Sequence, residues 1–297
     1  MNFIKYSKIY FIFSFILISA SLICLFVFGL KYSIEFTGGS ILEVKYAQTV
    51  PDIENIEQSL SEFELGNIII QPSNDNVALI RMKLIDEETH QSILKKLKQD
   101  NELEEQRFEF IGPMIGEELK EKTKLLIILS LLVIVGYVSF AFRKIKTSAK
   151  SWQYGIATLI ALGHDVLIPL GIFACLGRYC GVEISIPIVV ALLTVLGYSV
   201  NNTVVVFDRV RENSFIFPAS SFEEIINSSL KQTIVRSVNT SLTTLFVLFA
   251  IFFFGGESLK YFSLTMIIGI IAGTYSSIFL ASPILAKWVK YKQTKNN

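Results

Sequence analysis

Residues 186–213, IPIVVALLTVLGYSVNNTVVVFDRVREN, decide the fold of the whole chain. Roughly the first 20 of them are apolar enough to span a bilayer as an α-helix. The second half of this span nevertheless carries Gly197, Asn201 and Asn202. At about 1.5 Å per residue, the asparagines lie roughly 8 Å from the charged end of the helix. That end is marked by Asp208, Arg209 and Arg211. Polar groups at such a depth are costly in lipid, so they indicate a helix that faces other helices.

The polar residues of this span fall on two neighbouring stripes of the helix. With about 3.6 residues per turn, Gly197 and Asn201 share one stripe, and Tyr198 and Asn202 share the adjacent one. Two interpretations are open. Small and amide side chains allow helices to approach and form hydrogen bonds. Alternatively, they line a polar path through the bundle, because polar groups inside membranes often mark ion or proton routes.

The composition is that of an integral membrane protein with one water-exposed segment. Of the 297 residues, 52% are hydrophobic, and the net charge is only +1. Residues 31–120 hold 18 acidic and 9 basic residues, a charge of −9, which leaves +10 for the rest of the chain. Two environments are therefore predicted, a soluble acidic domain and helices with basic ends. This distribution argues against nucleic-acid binding.

Hydropathy predicts six membrane-spanning helices. The first lies in residues 1–30 and follows a short basic N-terminus with Lys5 and Lys8. The other five form a bundle within residues 121–297, near residues 125–142, 152–175, 186–207, 235–254 and 262–288. Basic residues concentrate at alternate helix ends, which predicts that both termini are cytoplasmic in an inner (plasma) membrane. Residues 215–231 have helical apolar spacing and predict an amphipathic helix on the inner membrane surface.

Residues 31–120 predict a small α+β domain outside the cytoplasm. The predicted order is a strand over 34–46, a helix over 52–63 capped by Asp52, a hairpin of strands 67–71 and 77–84, a helix over 86–99 and a strand over 107–111. This β-α-β-β-α-β order is typical of a ferredoxin-like domain. Gly38 and Gly39 lack the spacing of a phosphate loop and indicate a bulge or a close backbone approach. Gly112 and Pro113 predict the joint to the next helix.

Asp165 and Arg236 are ionisable residues inside predicted spans. Asp165 is about twelve residues from the inner end of its helix, roughly 18 Å deep. A carboxylate there costs about 2.5–3.5 kcal/mol unless it is neutral or paired, so Asp165 has either a functional or a structural partner. Arg236 lies near the inner end of the fifth span. It either extends its side chain to water or pairs with the fourth span. Asp165, Asn201, Asn202 and Arg236 are thus candidates for a proton relay or polar path.

The sequence gives no indication of enzymatic chemistry. It has no nucleophile paired with a base and no glycine-rich nucleotide loop. Three cysteines and two histidines without ligand spacing predict neither a metal site nor a disulfide framework. We therefore expect no catalytic residues and no cofactor.

Several ordered motifs resemble those of the SecF family of the SecD/SecF protein-export complex. They are Glu35-Phe36-Thr37-Gly38-Gly39, Gly112-Pro113 with Gly116, Ala161-Leu162-Gly163-His164-Asp165-Val166, Gly197-Tyr198-Ser199-Val200-Asn201-Asn202, Phe207-Asp208-Arg209-Val210-Arg211-Glu212-Asn213, Arg236-Ser237-Val238-Asn239-Thr240-Ser241 and Phe262-Ser263-Leu264-Thr265-Met266. The resemblance runs over nearly the full length of the chain. It marks Gly38, Gly39, Gly112, Pro113, Gly197, Asp208, Arg209 and Arg211 as structural motif residues.

The resemblance implies half of a resistance-nodulation-division-type bundle, completed by SecD. Such a complex draws unfolded preproteins outward with the proton motive force, after a SecA-type ATPase has pushed them into a SecYEG-type channel. Where the family usually has an Asp that is proposed to carry protons, this chain has Asn202, which cannot titrate. A proton-driven complex then needs an acid from SecD or Asp165, with Asn202 and Arg236 as polar supports. A sodium-driven or weakened pump is the other possibility.

Two further functions compete with this one. One is a half-transporter of the same type that exports small molecules or lipids, although a domain of about 90 residues is small for capturing drugs. The other is a membrane scaffold that anchors an outer binding domain without transporting anything. The buried Asp165 and the asparagine stripe argue against the scaffold.

Overall fold

The computed structural model describes residues 3–66, 68–72, 76–143 and 149–296, apart from the side chains of 257, 258 and 292–296. The elements follow in this order: α1 (Ser7–Phe28), α2 (Ile34–Thr37), β1 (Gly39–Tyr46), α3 (Ile53–Leu60), β2 (Ile69–Pro72), β3 (Val77–Met82), α4 (Glu87–Asp100), β4 (Leu103–Ile111), α5 (Pro113–Ala141), α6 (Ser151–Cys180), α7 (Ile186–Ile216), α8 (Phe222–Phe254), α9 (Glu257–Ser276), a π-helical turn (Ser277–Ala281) and α10 (Ser282–Asn296).

Two compact units divide the chain. One, the bundle unit, comprises residues 1–30, 125–182 and 186–297. The other, the sheet unit, comprises residues 31–124 together with Glu183–Ser185. The three residues of the second segment lie between α6 and α7, so the connection between these two helices is part of the sheet unit.

Among the described residues, six helices are long and apolar enough to cross a membrane, which confirms the predicted number. They are α1, α5, α6, α7, α8 and the continuous rod from Leu259 to Tyr291, which comprises most of α9, the π-helical turn and much of α10. The last rod is the most enclosed of the six, because α6, α7 and α8 all pack against α9.

The predicted helix on the membrane surface, residues 215–231, is not a separate element. Instead, α7 continues to Ile216 and α8 begins at Phe222. Ser221 and Glu224 form a reciprocal capping box that starts α8, and nothing interrupts the helix before Phe254. The apolar residues within α8 are buried against the bundle, including Phe222 and Ile226, whereas Phe215, Ile216 and Phe217 are exposed.

The described residues of the sheet unit form four antiparallel strands in the order β2-β3-β1-β4. Alternate residues of β3, Ala78, Ile80 and Met82, point into the core. Helices α3 and α4 pack on this face and bury Leu60 and Ile93. Hydrophobic burial on one face of the sheet therefore stabilises the unit. The predicted hairpin lies partly outside the described residues, which lack residue 67 of its first strand and residues 73–75 of its turn.

Two local predictions in the sheet unit are wrong. Residues 34–37 form a helical turn, and the strand begins only at Gly39, because Gly38 has a positive φ of 73° that ends the turn. Asp52 precedes α3 but its side chain caps no backbone amide. The Asp86 side chain does cap a helix: at the start of α4, its Oδ1 accepts a hydrogen bond from the Thr89 amide at 2.9 Å.

The predicted close backbone approach at the two glycines is confirmed. A Cβ added to Gly38 would lie 2.6 Å from Pro113 Cα, and one added to Gly39 would lie 2.9 Å from the Met82 carbonyl oxygen. Gly116 is equally confined, since its Cβ would lie 2.9 Å from the Gly38 amide nitrogen. Gly112 precedes Pro113, the first residue of α5, where the missing N–H of proline costs nothing. The glycines therefore let β1 and the start of α5 pack backbone to backbone.

An ion pair in the sheet unit gives a testable dependence on pH. Arg81 Nη1 lies 3.0 Å from Glu183 Oε1. Burial raises the pKa of the Glu183 carboxyl more than Arg81 lowers it, and burial also lowers the pKa of the Arg81 guanidinium. Since the folded-state pKa of Glu183 is raised, its contribution to stability is full below pH 4.5 and is lost as the pH rises through the raised value.

We therefore expect Glu183→Gln to leave the sheet unit as stable at pH 8 as the wild type, or more stable. Arg81→Met leaves the carboxylate buried without its counter-ion and should destabilise the unit by about 1–3 kcal/mol at pH 8, and by less at pH 4.5. Amide hydrogen exchange of β3 in the full chain measures both effects. Equal losses for the two variants at both pH values would contradict this account.

Candidate functional site

A buried carboxyl group lies at the centre of the bundle unit. Asp165 on α6 has no exposed surface. Its Oδ2 accepts hydrogen bonds from Ser199 Oγ of α7 at 2.5 Å and from Ser276 Oγ of α9 at 2.7 Å. Its Oδ1 lies 2.8 Å from His164 Nδ1. Three helices thus supply the surroundings of one acid, and we call these four residues the acid cluster.

Local features of the helices place the acid cluster. Pro169 lies one turn after Asp165, and its missing N–H leaves the Asp165 carbonyl without its intrahelical donor. Gly273 allows α9 to approach α7, since a Cβ there would lie 2.9 Å from Ser199 Cβ. Immediately after Ser276, the π-helical turn begins at Ser277. Such turns are frequent at functional sites, because they alter the direction of neighbouring side chains.

The acid cluster can accommodate either protonation state of Asp165. A serine hydroxyl donates one hydrogen bond and accepts others, so Ser199 and Ser276 can face a carboxylate or a carboxylic acid by rotation of their hydrogens. His164 is 1% exposed and stacks on Tyr275 with ring centroids 5.9 Å apart. Its Nε2 has no hydrogen-bond partner among the described residues. The His164 ring therefore presents Nδ1 to the acid and leaves Nε2 able to bind a proton.

A second polar cluster lies where α7, α8 and α9 meet. Asn202 Nδ2 donates a hydrogen bond to Ser241 Oγ at 3.5 Å, and Ser241 Oγ lies 2.6 Å from Thr274 Oγ1. The Tyr198 hydroxyl adds a contact of 3.4 Å to Ser241 Oγ. These four residues form the amide cluster. Tyr198 and Asn202 of α7 therefore face the bundle, as one of the two predicted stripes.

The other predicted stripe faces away from the described helices. Gly197 and Asn201 are exposed on α7, and Arg236 is exposed on α8. Within the described part of the chain, the Arg236 guanidinium has no hydrogen-bond or ion-pair partner. Arg236 and Asp208 line the same groove between α7 and α8. The structure thus does not bring Arg236 to Asn202 or to Asp165.

The charged end of α7 forms local ion pairs. Arg211 Nη2 lies 2.6 Å from Asp208 Oδ1, and Arg209 Nη1 lies 2.5 Å from Glu212 Oε2. Arg209 Nε also donates a hydrogen bond to Gln232 of α8. These residues therefore connect α7 to α8 beyond the predicted span, and exposed pairs of this kind contribute little to stability.

Three members of the acid cluster were not among the candidates predicted from the sequence. His164 and Ser199 lie inside the motifs that resemble the SecF family, and His164 directly precedes Asp165 in the sequence, which would have identified it. Ser276 has no such signal, because buried serines are common in membrane helices and only the fold places this one against Asp165.

Fold and site together define a polytopic membrane protein with an ionisable side chain enclosed in its helical bundle. The C-terminal model of the protein export membrane proteins SecD/SecF matches residues 89–291, and the SecD/SecF GG motif model matches residues 25–50. The chain belongs to the SecD/SecF protein-export family and is similar over nearly its whole length to protein translocase subunits SecF.

Individual relatives agree with this assignment. The chain is 40% identical to protein translocase subunit SecF of Thermobaculum terrenum over 97% of its length and 94% of the relative. It is 35% identical to that of Vibrio alginolyticus over 97% of its length and 89% of the relative. Among solved structures it matches SecDF of Thermus thermophilus, a translocon-associated membrane protein, with a TM-score of 0.86 and 31% identity. The whole chain is covered, but only 39% of that longer SecDF chain.

Proposed function

We propose that this chain couples the proton motive force to preprotein export, with Asp165 as its proton-binding group. The observation that carries the proposal is the acid cluster: an acid without exposed surface whose two serine donors come from two other helices. A change in its protonation alters hydrogen bonds to α7 and α9 together. Proton binding at Asp165 therefore changes the hydrogen bonds that hold α6 against α7 and α9.

His164 is the second member of the proposed relay. Its Nδ1 faces the carboxyl group and its Nε2 has no partner among the described residues, so a proton can pass from one side of the ring to the other. A relay made of Asp165 and His164 does not require a titratable side chain at residue 202. Asn202 instead holds α7 to α8 and α9 through the amide cluster.

The exposed stripe supports SecD as the partner of this bundle. Gly197, Asn201 and Arg236 are exposed on α7 and α8, where lipid would leave the amide and the guanidinium unpaired. A second bundle, that of SecD, would cover them, and an acid from SecD opposite Arg236 would neutralise the cation. The solved SecDF of Thermus thermophilus carries both names in a single protein.

The remaining features complete the proposal. Both termini lie in the cytoplasm, and the sheet unit lies in the periplasm, where it meets emerging preprotein. Its strand order and its β-α-β-β-α-β sequence support a ferredoxin-like fold. The subunit is not an enzyme. It acts after the SecA-type ATPase has driven a preprotein into the SecYEG-type channel, and the gradient supplies about 2.3 kcal/mol per charge at 100 mV.

The test uses vesicles that contain the channel and SecD, with or without this chain, and a preprotein halted partway across by ATP removal. With the chain present, imposing a proton gradient should accelerate completion. Without it, the gradient should have no effect. Equal acceleration in both vesicle types would refute the proposed function. Acceleration by a sodium gradient but not by a proton gradient would show that sodium is the coupling ion.

A further inference from the structure

A groove of about 480 Å³ lies at the end of the bundle unit that carries the N-terminus. Three parts of the chain form its walls: the segment before and including the start of α1, the first turn of α8, and α10. Its charged lining residues are Lys5, Lys8, Glu223, Glu224, Lys287 and Lys290. The groove therefore has more cationic than anionic side chains.

The acidic residues of the groove are already occupied. Both Glu223 carboxylate oxygens accept hydrogen bonds from Lys290 Nζ, at 3.1 and 3.3 Å. Glu224 Oε2 accepts from the Ser221 amide and hydroxyl, each at 2.9 Å, in the capping box of α8. Neither is available to neutralise the other lysines.

Lys8 and Lys287 are the cations available to a ligand. Among the ion pairs of the described residues, the one in the groove joins Lys290 to Glu223, and none involves Lys8 or Lys287. Lys287 Nζ lies 4.6 Å from the centroid of the Phe11 ring, a contact that orients the ammonium without neutralising its charge. An anion in the groove can thus meet ammonium groups from two different helices.

The groove walls are fixed by packing rather than formed by surface side chains alone. Phe3 and Ile4 are 2% and 7% exposed and belong to the same core as Phe222 and Leu285. The Ile4 amide also donates a hydrogen bond to Asn227 Oδ1 at 3.2 Å. The N-terminal segment is therefore held against α8, which fixes the backbone of these two groove walls before a ligand binds.

Aromatic side chains place the groove at the membrane–water interface. Trp152 and Trp288 pack edge to face with centroids 5.0 Å apart, and Trp288 directly follows Lys287. Tyr6 and Tyr291 are exposed at the same end of the bundle. Tryptophan and tyrosine concentrate where lipid headgroups begin, so the lysines lie at the depth of lipid phosphates.

We propose that this groove binds the phosphodiester headgroup of an anionic phospholipid, with its acyl chains along α1 and α10. Basic pockets between membrane helices bind such headgroups. A lipid bound here would bridge α1, α8 and α10. It would thereby connect the first span to the rod that contains Ser276.

The test is native mass spectrometry of the full chain with dioleoyl phosphatidylglycerol or the matching phosphatidylcholine added. The wild type should retain phosphatidylglycerol preferentially. The double variant Lys8→Gln/Lys287→Gln should bind it about 25-fold more weakly, at about fivefold for each lysine. Lys260→Gln, which removes a lysine at the other end of the rod from Lys287, should bind like the wild type. Lys8→Arg/Lys287→Arg should retain most of the affinity and shows that the charges, and not the fold, are responsible.

Three results would overturn the proposal. They are equal retention of the two lipids by the wild type, equal weakening by Lys260→Gln, and displacement of phosphatidylglycerol by millimolar inorganic phosphate. The last result would define a site for free anions instead of a lipid.

Discussion

Replacing Asp165 by asparagine should abolish the gradient-dependent part of preprotein export. Asparagine preserves the shape of the side chain and can still accept from Ser199 and Ser276, so the fold should survive. It cannot bind and release a proton, and each lost proton removes about 2.3 kcal/mol at 100 mV. The gradient-driven acceleration should fall by up to about fortyfold, as measured by completion of a halted preprotein in vesicles.

The matched control is Asp208→Asn. Asp208 is an exposed acid on α7 whose ion-pair partner among the described residues is Arg211 of its own helix. We expect it to leave the acceleration within about twofold of the wild type, because exposed pairs contribute about 1 kcal/mol or less. An Asp165→Asn complex that still responds fully to the gradient would exclude Asp165 as the proton carrier.

Replacing Gly38 by alanine should unfold or strongly loosen the sheet unit. Gly38 has φ 73° and ψ 164°, a conformation that is essentially restricted to glycine and costs other residues about 1–3 kcal/mol. Its Cβ would also lie 2.6 Å from the Pro113 Cα, and such overpacking costs a further 1–3 kcal/mol or so. We expect a loss of at least about 3 kcal/mol, measured by hydrogen exchange of the β1 amides in the full chain.

Gly112→Ala is the matched control for this prediction. Gly112 lies next to Pro113, but a Cβ there meets nothing within 4 Å and its φ is not in the left-handed region. The alanine variant should therefore exchange its β1 amides like the wild type. Equal protection in Gly38→Ala and Gly112→Ala would show that the backbone contact to α5 does not matter for stability.

Sequence reasoning found the spans because their length is a direct consequence of bilayer thickness. It missed the continuity of α8 from Phe222 to Phe254. A surface helix and the first turns of a spanning helix have the same apolar spacing, and only packing against α10 and the N-terminal segment distinguishes them. The prediction also extended the first strand back to Ile34, because alternation alone does not show that residues 34–37 form a helical turn that ends at Gly38.

The sequence predicts only part of the candidate site, because local periodicity does not show how helices are rotated against each other. Helical periodicity separated the Gly197 and Asn201 stripe from the Tyr198 and Asn202 stripe, but it could not show which one faces the bundle. That choice depends on how α7 is rotated against α8 and α9. The depth of Asp165 could be counted from the sequence, whereas its contacts to Ser199 and Ser276 depend on two helices that are distant along the chain.

A comparison of wild type with Asn202→Asp, in vesicles that contain the channel and SecD, tests whether export is coupled to the proton gradient without an acid at residue 202. A preprotein is halted partway, ATP is removed, and completion is followed with and without a proton gradient. If Asp165 carries the proton, the wild type should complete translocation in a gradient-dependent manner, and the new carboxyl group should not be required. Gradient dependence that appears only in Asn202→Asp would contradict this account.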